Sequence, residues 1–189
     1  MMEIGFALCG SFCTYAQIFP VMEALSAKHH VIPIFSSASA VTDSRFGEAE
    51  AFLQRAEAIT GEKPLTTLAQ VEPIGPKKLL DILIIAPCTG NTLAKLAHSI
   101  ADTPVTMAAK SQLRNGRPVL IAVSTNDALA GAAENIGRLL ARRHYYFVPF
   151  RQDDPVKKPT SVVADFHRIP EAAELAVQRI QLQPILLGI

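Results

Sequence analysis

The chain has 189 residues, of which 49% are hydrophobic and 19% charged, and its formal net charge is +1. This length fits a single domain over residues 1–189, and the scattered basic residues argue against a disordered tail or a nucleic-acid-binding surface. No run of about 18 apolar residues predicts a membrane span, and the first residues lack the basic stretch of a secretion signal, so we expect a cytoplasmic protein.

The first third of the chain predicts the order strand, helix, strand, helix. Gly10 and Ser11 close the first apolar run, which indicates a buried strand that ends in a tight turn. Thr14 is expected to cap the first helix, and Gly61 to end the second. The predicted elements are a strand at 4–9, a helix that includes Ile18 to Leu25, a strand at 31–35 and a helix at 46–59.

The rest of the chain continues the alternation. Pro87 is expected to stop the third and most hydrophobic strand, and Thr103 with Pro104 is typical of a helix start. Alternating strands and helices with continuous apolar strands predict a three-layer, Rossmann-like open parallel sheet with helices on both faces. The predicted strands are residues 82–86, 118–123 and 145–148, and the helices are 91–100, 104–115, 129–143 and 170–181.

Small and hydroxyl-bearing residues follow four of the predicted strands: Gly10 and Ser11, Ser36, Cys88 and Thr89, and Ser124 to Asn126. In an open α/β sheet the carboxyl ends of the strands form the ligand site, and helix N-termini there favour a phosphate. The residue composition of any one of these turns, taken alone, is ordinary for a turn. Four of them at one edge of the sheet point to a ligand. The missing Gly-x-Gly-x-x-Gly pattern argues against NAD binding by this chain.

The three cysteines, Cys9, Cys13 and Cys88, favour reduced thiols over a disulfide framework, because their number is odd and no export signal is present. Cys88 precedes a predicted helix and is therefore a possible nucleophile. No histidine lies near it in the sequence, so a small packing residue is the favoured interpretation. Cys9 is expected in the core and Cys13 beneath the first helix. The histidines lack ligand spacing, so no metal site is predicted.

The segments Pro87-Cys-Thr-Gly-Asn-Thr92, Ala94-Lys-Leu-Ala97 and Ala101-Asp102 resemble, in order and spacing, the signature of the homo-oligomeric flavin-containing cysteine decarboxylase superfamily. That superfamily also includes flavin prenyltransferases. The resemblance implies an FMN site at a subunit interface, usually that of a trimer. The residues it implies for FMN binding are Gly10, Ser11, Phe12, Ser36, Pro87, Cys88, Thr89, Asn91, Thr92, Ser124, Thr125 and Asn126.

Departures from the superfamily pattern indicate which branch of the superfamily this chain resembles. The cysteine decarboxylases carry a histidine eight residues before the aspartate that opens the third strand, and here that position is Pro73. The segments at residues 74–77, 124–127 and 147–161 instead resemble flavoprotein-like subunits of two-subunit synthases that oxidise a small dihydro-dicarboxylate. This resemblance implies a partner A subunit that binds NAD(P). A decarboxylase or prenyltransferase and a non-catalytic structural partner of the A subunit remain the alternatives.

Three cations on a proline-rich loop are candidates for holding the dicarboxylate, namely Arg151, Lys157 and Lys158. A solvated loop explains the lysine pair equally well. No general base is assigned from the sequence. Asp127 and Asp153 are nominal candidates, although either is as well suited to capping a helix or a turn.

Overall fold

The computed structural model describes residues 1–188. Within them, seven strands form one sheet: β1 (Glu3–Leu8), β2 (His30–Phe35), β3 (Ile82–Cys88), β4 (Val119–Thr125), β5 (Tyr145–Phe147), β6 (Phe150–Asp154) and β7 (Lys158–Ala164). The α-helices are α1 (Tyr15–Ser26), α2 (Ala49–Thr60), α3 (Leu68–Val71), α4 (Ile74–Lys77), α5 (Gly90–Ala97), α6 (Pro104–Arg114), α7 (Ala133–Leu140) and α8 (Ile169–Val177). Short 3-10 helices cover Phe12–Thr14 and Phe166–Arg168.

The sheet has the order β2-β1-β3-β4-β7-β6, and β5 also pairs with β4. The pairs among β1 to β5 are parallel, whereas β7 is antiparallel to both β4 and β6. The strands that were predicted thus form a parallel sheet as expected, and the two strands that were not predicted extend it in antiparallel orientation. The proline-rich segment predicted as a loop is a β-hairpin. Its charged, largely exposed β6 residues are typical of an edge strand and give no hydrophobic signal.

Helices cover both faces of the sheet, as predicted. On one face α1 contacts α2 and α8, and on the other α6 contacts α3, α4 and α5, while α7 packs on α5. Every residue of β3 is buried because this central strand is covered on both sides. The structure is a mixed α/β, Rossmann-like fold.

The third strand was predicted to stop at Pro87, but it continues to Cys88. The Ala86–Pro87 peptide bond is cis. The pairing with β4 is irregular between Ile85 and Cys88, which fits the missing N–H of proline. The proline interrupts the hydrogen-bond ladder without ending the strand.

Several helices are shorter than predicted, and local hydrogen bonds replace the first turns that were predicted for α2 and α7. At the start of α2, the amide of Ala49, its first residue, donates to the Asp43 carboxylate at 2.9 Å. Before α7, the amides of Ala130 and Ala132 donate to the Asp127 carbonyl. Helix α5 ends at Ala97 and α8 at Val177, where the predictions were residues 100 and 181. The short helices α3 and α4 were not predicted.

The predicted caps differ in outcome. Thr103 forms a capping box at α6, with Pro104 in the first turn, and Gly61 ends α2 with a φ of 72°. Both are confirmed. Thr14 precedes α1, but it forms no side-chain cap, and its hydroxyl donates instead to the Ser11 carbonyl at 2.8 Å. The Phe12–Thr14 turn leads directly into α1.

Polar contacts join the amino-terminal ends of β1 and β2. The His30 imidazole hydrogen-bonds to the carboxylates of Glu3 and Glu62, and these bonds raise the pKa of His30. None of the helices within residues 1–188 is long and apolar enough to cross a membrane.

Candidate functional site

A cleft opens at the carboxyl ends of the parallel strands. β1 lies between β2 and β3, so the chain connects to opposite sides of β1 at this point. Such a switch point is where open α/β sheets bind ligands. The cleft has a volume of about 1040 Å³ and is lined by Gly10 and Ser11 after β1 and by Thr89 after β3. This volume lies at the upper end of the range for small-molecule sites, so a ligand of cofactor size fits.

A hydrogen bond between two strand ends forms the floor of the cleft. The hydroxyl groups of Ser11 and Ser124 lie 2.8 Å apart, which ties the turn after β1 to the end of β4. Gly10 keeps the floor open, because a Cβ at this position would meet only the Phe12 ring, at 3.7 Å. A ligand can therefore approach the backbone closely here.

The N-terminus of α5 has no side-chain cap. Thr89 lines the cleft, but its hydroxyl donates to Thr92 Oγ1 at 3.3 Å rather than accepting from a helix amide. The first amides of a helix have no acceptor within the helix, and the helix dipole favours an anion beside them. In α6, by contrast, the Thr103 side chain accepts from the Thr106 amide. Helix α5 thus retains free donors.

Gly90 allows α5 to pack closely on the end of β4. A Cβ at Gly90 would lie 2.7 Å from Asp127 Oδ1 and 2.9 Å from Thr125 Oγ1. The Thr125 hydroxyl donates to the Asp127 carboxylate. Asp127, a nominal base in the sequence, is thus engaged in this packing and is not among the residues that line the cleft.

An aromatic cluster supports one wall. Phe12 lines the cleft, and its ring stacks on Phe52 at a centroid distance of 6.2 Å. Tyr15 packs on Phe52 edge-on at 4.8 Å, and its hydroxyl donates to the Cys9 carbonyl at 3.1 Å. Burial raises the pKa of Tyr15, so its hydroxyl remains a donor. The cluster fixes the loop that follows β1.

The β6–β7 hairpin forms another wall and contributes Arg151, Asp153 and Lys158. Lys158 Nζ lies 2.7 Å from Asp153 Oδ2, and this ion pair raises the pKa of Lys158. Lys157 is not among the lining residues, and its amide donates to Asp154 Oδ1 at 2.9 Å. Of the three predicted substrate cations, Arg151 alone both lines the cleft and has no acidic partner within residues 1–188.

A turn at residues 44–47 carries three lining residues, Ser44, Arg45 and Phe46, and its second half was predicted to be helical. The amides of Ser44 and Gly47 each donate to the other's carbonyl, at 3.0 and 3.1 Å. Gly47 has a φ of 148°, and a Cβ there would lie 2.7 Å from the Phe52 ring, so only glycine fits. The turn presents Arg45 and Phe46 to the cleft, and the Arg45 guanidinium lies 4.9 Å from the Phe46 ring centroid.

The structure brings nine of the predicted site residues to the cleft: Gly10, Ser11, Phe12, Thr89, Ser124, Thr125, Asn126, Arg151 and Lys158. The other six do not line it. Pro87 and Cys88 are buried within β3, Asn91 is exposed on α5, and Lys157 lies outside. Ser36 hydrogen-bonds Ser39 at 2.8 Å, and Thr92 donates to Cys9 Sγ at 3.3 Å.

The cysteines divide by burial. Burial raises the pKa of Cys9 to about 11 and that of Cys88 well above its ordinary value, so both thiols are protonated. This supports packing rather than nucleophilic roles. Cys13 is exposed and lines the cleft, so the prediction that it packs beneath the first helix is wrong. The 3-10 turn places its side chain outward.

Sequence reasoning missed several lining residues, among them Arg45, Phe46, Asp165 and His167. Arg45 and Phe46 follow the second strand at a distance, and the other two follow the hairpin strand that was not predicted. No local pattern marks them, because only the fold brings them to the cleft. Within residues 1–188 no group of three or more metal-binding side chains is present.

The chain is similar to known proteins over most of its length. A family model that describes flavoproteins matches residues 1–164. The B subunit of dipicolinate synthase from Bacillus subtilis (strain 168) is 44% identical over 186 residues, which cover 98% of this chain and 93% of that protein.

Two solved structures are also similar. The dipicolinate synthase B subunit from Bacillus halodurans has a TM-score of 0.91 at 42% identity, with 99% of this chain and 96% of that one covered. DmrB of Burkholderia xenovorans, a cubic protein cage for redox transfer in complex with FMN, has a TM-score of 0.69 at 16% identity, with 93% and 95% covered. At that identity DmrB shares the fold alone.

Proposed function

The chain belongs to the flavoprotein family, and from this premise we propose that it is the B subunit of a dipicolinate synthase. It would act with an NAD(P)-binding A subunit to oxidise dihydrodipicolinate to dipicolinate, pyridine-2,6-dicarboxylate, during sporulation. The observation that carries the proposal is the similarity to the Bacillus subtilis protein over nearly the whole of both chains. We further propose a cytoplasmic homo-oligomer built from trimers.

The cleft residues fit FMN. Gly10 allows close approach of a ligand, the hydroxyls of Ser11 and Ser124 offer polar contacts, and the first amides of α5 beside Thr89 are free to bind an anion. These donors suit a phosphate and a ribityl chain. Bound FMN would supply a hydride acceptor for a ring that becomes aromatic on oxidation.

The chain's own residues would bind and orient the substrate and take up a proton. Arg151 is the candidate for a substrate carboxylate, because its guanidinium has no acidic partner among residues 1–188 and can form paired hydrogen bonds. Oxidation of the dihydro ring removes a hydride equivalent and a proton. Asp165 and His167, which line the cleft, are better candidates for the base than Asp153, which is paired with Lys158.

The decarboxylase alternative depends on a titratable histidine that this chain does not have at the expected position. Pro73, at the position where the resemblance implies a histidine, lies at the start of α4 and is not among the residues that line the cleft. A proline side chain can neither donate nor accept a proton. We therefore expect no release of carbon dioxide from cysteine-type substrates.

Reconstitution tests the proposal. The chain and its A subunit would be purified separately and together, and dipicolinate formation from dihydrodipicolinate would be measured with NAD(P). We expect full turnover only when both proteins are present, and flavin absorbance in the purified chain. Full turnover by the partner without this chain would refute the joint enzyme. A colourless chain that supports turnover and gains no stability from FMN would refute the cofactor and favour a structural partner.

A glycine variant tests the flavin site itself. Gly10→Val fills the floor of the cleft, where a Cβ meets only the Phe12 ring, so we expect a folded protein that does not retain flavin. Gly188→Val is the matched control, because a Cβ there meets nothing within 4 Å. Flavin absorbance after gel filtration and thermal melting would be measured for both variants.

A further inference from the structure

We propose that Arg45 is the cationic ligand of the flavin phosphate in this cleft, and that it does not bind the substrate. The inference rests on the flavin site of the proposed function and adds a residue that the sequence motifs did not indicate. Four observations carry it: the contacts that place the Arg45 turn, the charges around it, the absence of an ion pair to it, and the strands that separate its segment from Arg151.

Packing connects the Arg45 turn to the loop after β1. Gly47 ends the turn against the Phe52 ring, Phe52 stacks on Phe12, and Phe12 follows Ser11 directly in the chain. Each contact is between rigid groups, namely aromatic rings and backbone. The turn is therefore held on the same side of the cleft as Gly10 and Ser11.

Charge singles out Arg45 on that side. The lining residues of the loop after β1 and of the turn are Gly10, Ser11, Phe12, Cys13, Thr14, Gln17, Ser44, Arg45 and Phe46. Arg45 is the one residue of this set with a formal charge. The acidic lining residues, Asp153 and Asp165, come from the hairpin and the segment after it. A phosphate at the Ser11 turn thus meets a cation there and no carboxylate from these segments.

The Arg45 guanidinium is not engaged by a carboxylate in the described part of the chain. No ion pair within residues 1–188 includes Arg45, and its contact is the face of Phe46, at 4.9 Å. Lys158, by comparison, is already paired with Asp153 at 2.7 Å. Stacking on an aromatic ring restricts the side chain while leaving its N–H groups free to form hydrogen bonds.

The sheet separates Arg45 from Arg151, the other arginine that lines the cleft. Arg45 follows β2 at one edge of the sheet, whereas Arg151 belongs to β6 at the opposite edge. Four strands, β1, β3, β4 and β7, lie between these two edge strands. Two residues that enter the cleft from opposite edges suit two separate anionic groups. We therefore assign the phosphate to Arg45 and leave the substrate carboxylate to Arg151.

Flavin binding with and without the phosphate tests the assignment. Affinities of the flavin-free protein for FMN and for riboflavin would be measured by quenching of flavin fluorescence, for the wild type and for Arg45→Ala. We expect the variant to lose about tenfold or more in FMN affinity, the range of a hydrogen-bonded charge pair, and to keep its riboflavin affinity within about twofold. Higher salt should reduce the difference between wild type and variant for FMN.

Arg55→Ala is the matched control. The Arg55 guanidinium also stacks on a phenylalanine, Phe19, at 4.5 Å, but it is not among the residues that line the cleft. We expect it to leave both flavin affinities unchanged. Arg45→Lys keeps the charge but loses the planar fork, so it should restore part of the FMN affinity.

The outcomes separate this inference from the function it rests on. Equal losses of FMN and riboflavin affinity in Arg45→Ala would overturn the phosphate assignment, and so would an unchanged FMN affinity. A lower affinity for dipicolinate with normal FMN binding would instead place Arg45 at the substrate. A wild type that binds FMN but forms no dipicolinate with its partner would refute the synthase and leave the assignment standing. A wild type that binds neither flavin would overturn the assignment and the flavin cofactor of the proposed function, whereas the reconstitution assay tests the synthase separately.

Discussion

Replacing Gly90 with alanine should destabilise the protein, although alanine is the better helix former. A Cβ at Gly90 would lie 2.7 Å from Asp127 Oδ1 and 2.9 Å from Thr125 Oγ1. The carboxylate must move, which weakens its hydrogen bond from Thr125. A hydrogen bond to a charged group contributes about 1.5–3 kcal/mol, and we take the lower figure because Asp127 is half-buried.

The opposing gain is smaller. Alanine in place of glycine stabilises a helix by roughly 0.5–1 kcal/mol. We therefore expect Gly90→Ala to lower the free energy of unfolding by about 1 kcal/mol. Gly137→Ala, in α7, provides the control, because a Cβ there meets nothing within 4 Å and the full helix gain should appear. The two substitutions should differ by about 1.5 kcal/mol, the contribution of the weakened hydrogen bond.

Urea unfolding followed by circular dichroism measures both values, with the midpoint read at constant slope. A second cycle isolates the cause. In an Asp127→Ala background the carboxylate is gone, so Gly90→Ala should lose at least half of its cost. The reasoning is refuted if Gly90→Ala stabilises the protein as much as Gly137→Ala does, or if its cost persists in full without the Asp127 carboxylate.

Three further predictions concern a cap, a histidine and the thiols. Thr103→Ala should cost about 1 kcal/mol of stability in urea, because the capping box of α6 is lost. His30→Gln should destabilise the protein at pH 5.5 but not at pH 9: two carboxylates raise the pKa of His30, so its contribution is complete below the ordinary histidine value and disappears as the pH rises through the raised one. In the flavin-free native protein a thiol reagent should label Cys13 but not Cys9 or Cys88.

For each of these three predictions, a specific result would contradict the reasoning. Thr89 caps no helix, so Thr89→Ala should cost less than Thr103→Ala, and equal costs would contradict the cap assignment. A pH-independent effect of His30→Gln would mean that its carboxylate partners do not stabilise the charged imidazole. Rapid labelling of two or three thiols per chain before unfolding would show that Cys9 or Cys88 is accessible.

The position of the cleft was predictable because parallel strands end at one edge. Gly10, Ser11, Thr89 and Ser124 each follow an apolar run, and a run of that kind indicates a buried strand whatever the rest of the chain does. The composition of the walls was not predictable. Arg45 reaches the cleft through a turn that depends on the Phe52 ring, and Asp165 follows an edge strand that carries no hydrophobic signal.

The sequence by itself determined the strand cores, the helix starts that carry strong caps, and the edge of the sheet where a ligand binds, because these depend on neighbouring residues. Only the tertiary structure decided that Ser11 meets Ser124, 113 residues away, that the Ser39 hydroxyl donates to the Leu8 carbonyl, 31 residues away, and that the β6–β7 hairpin pairs Lys158 with Asp153. Hydrogen bonds and ion pairs of this kind depend on distances in space. A linear pattern of residue types does not contain those distances.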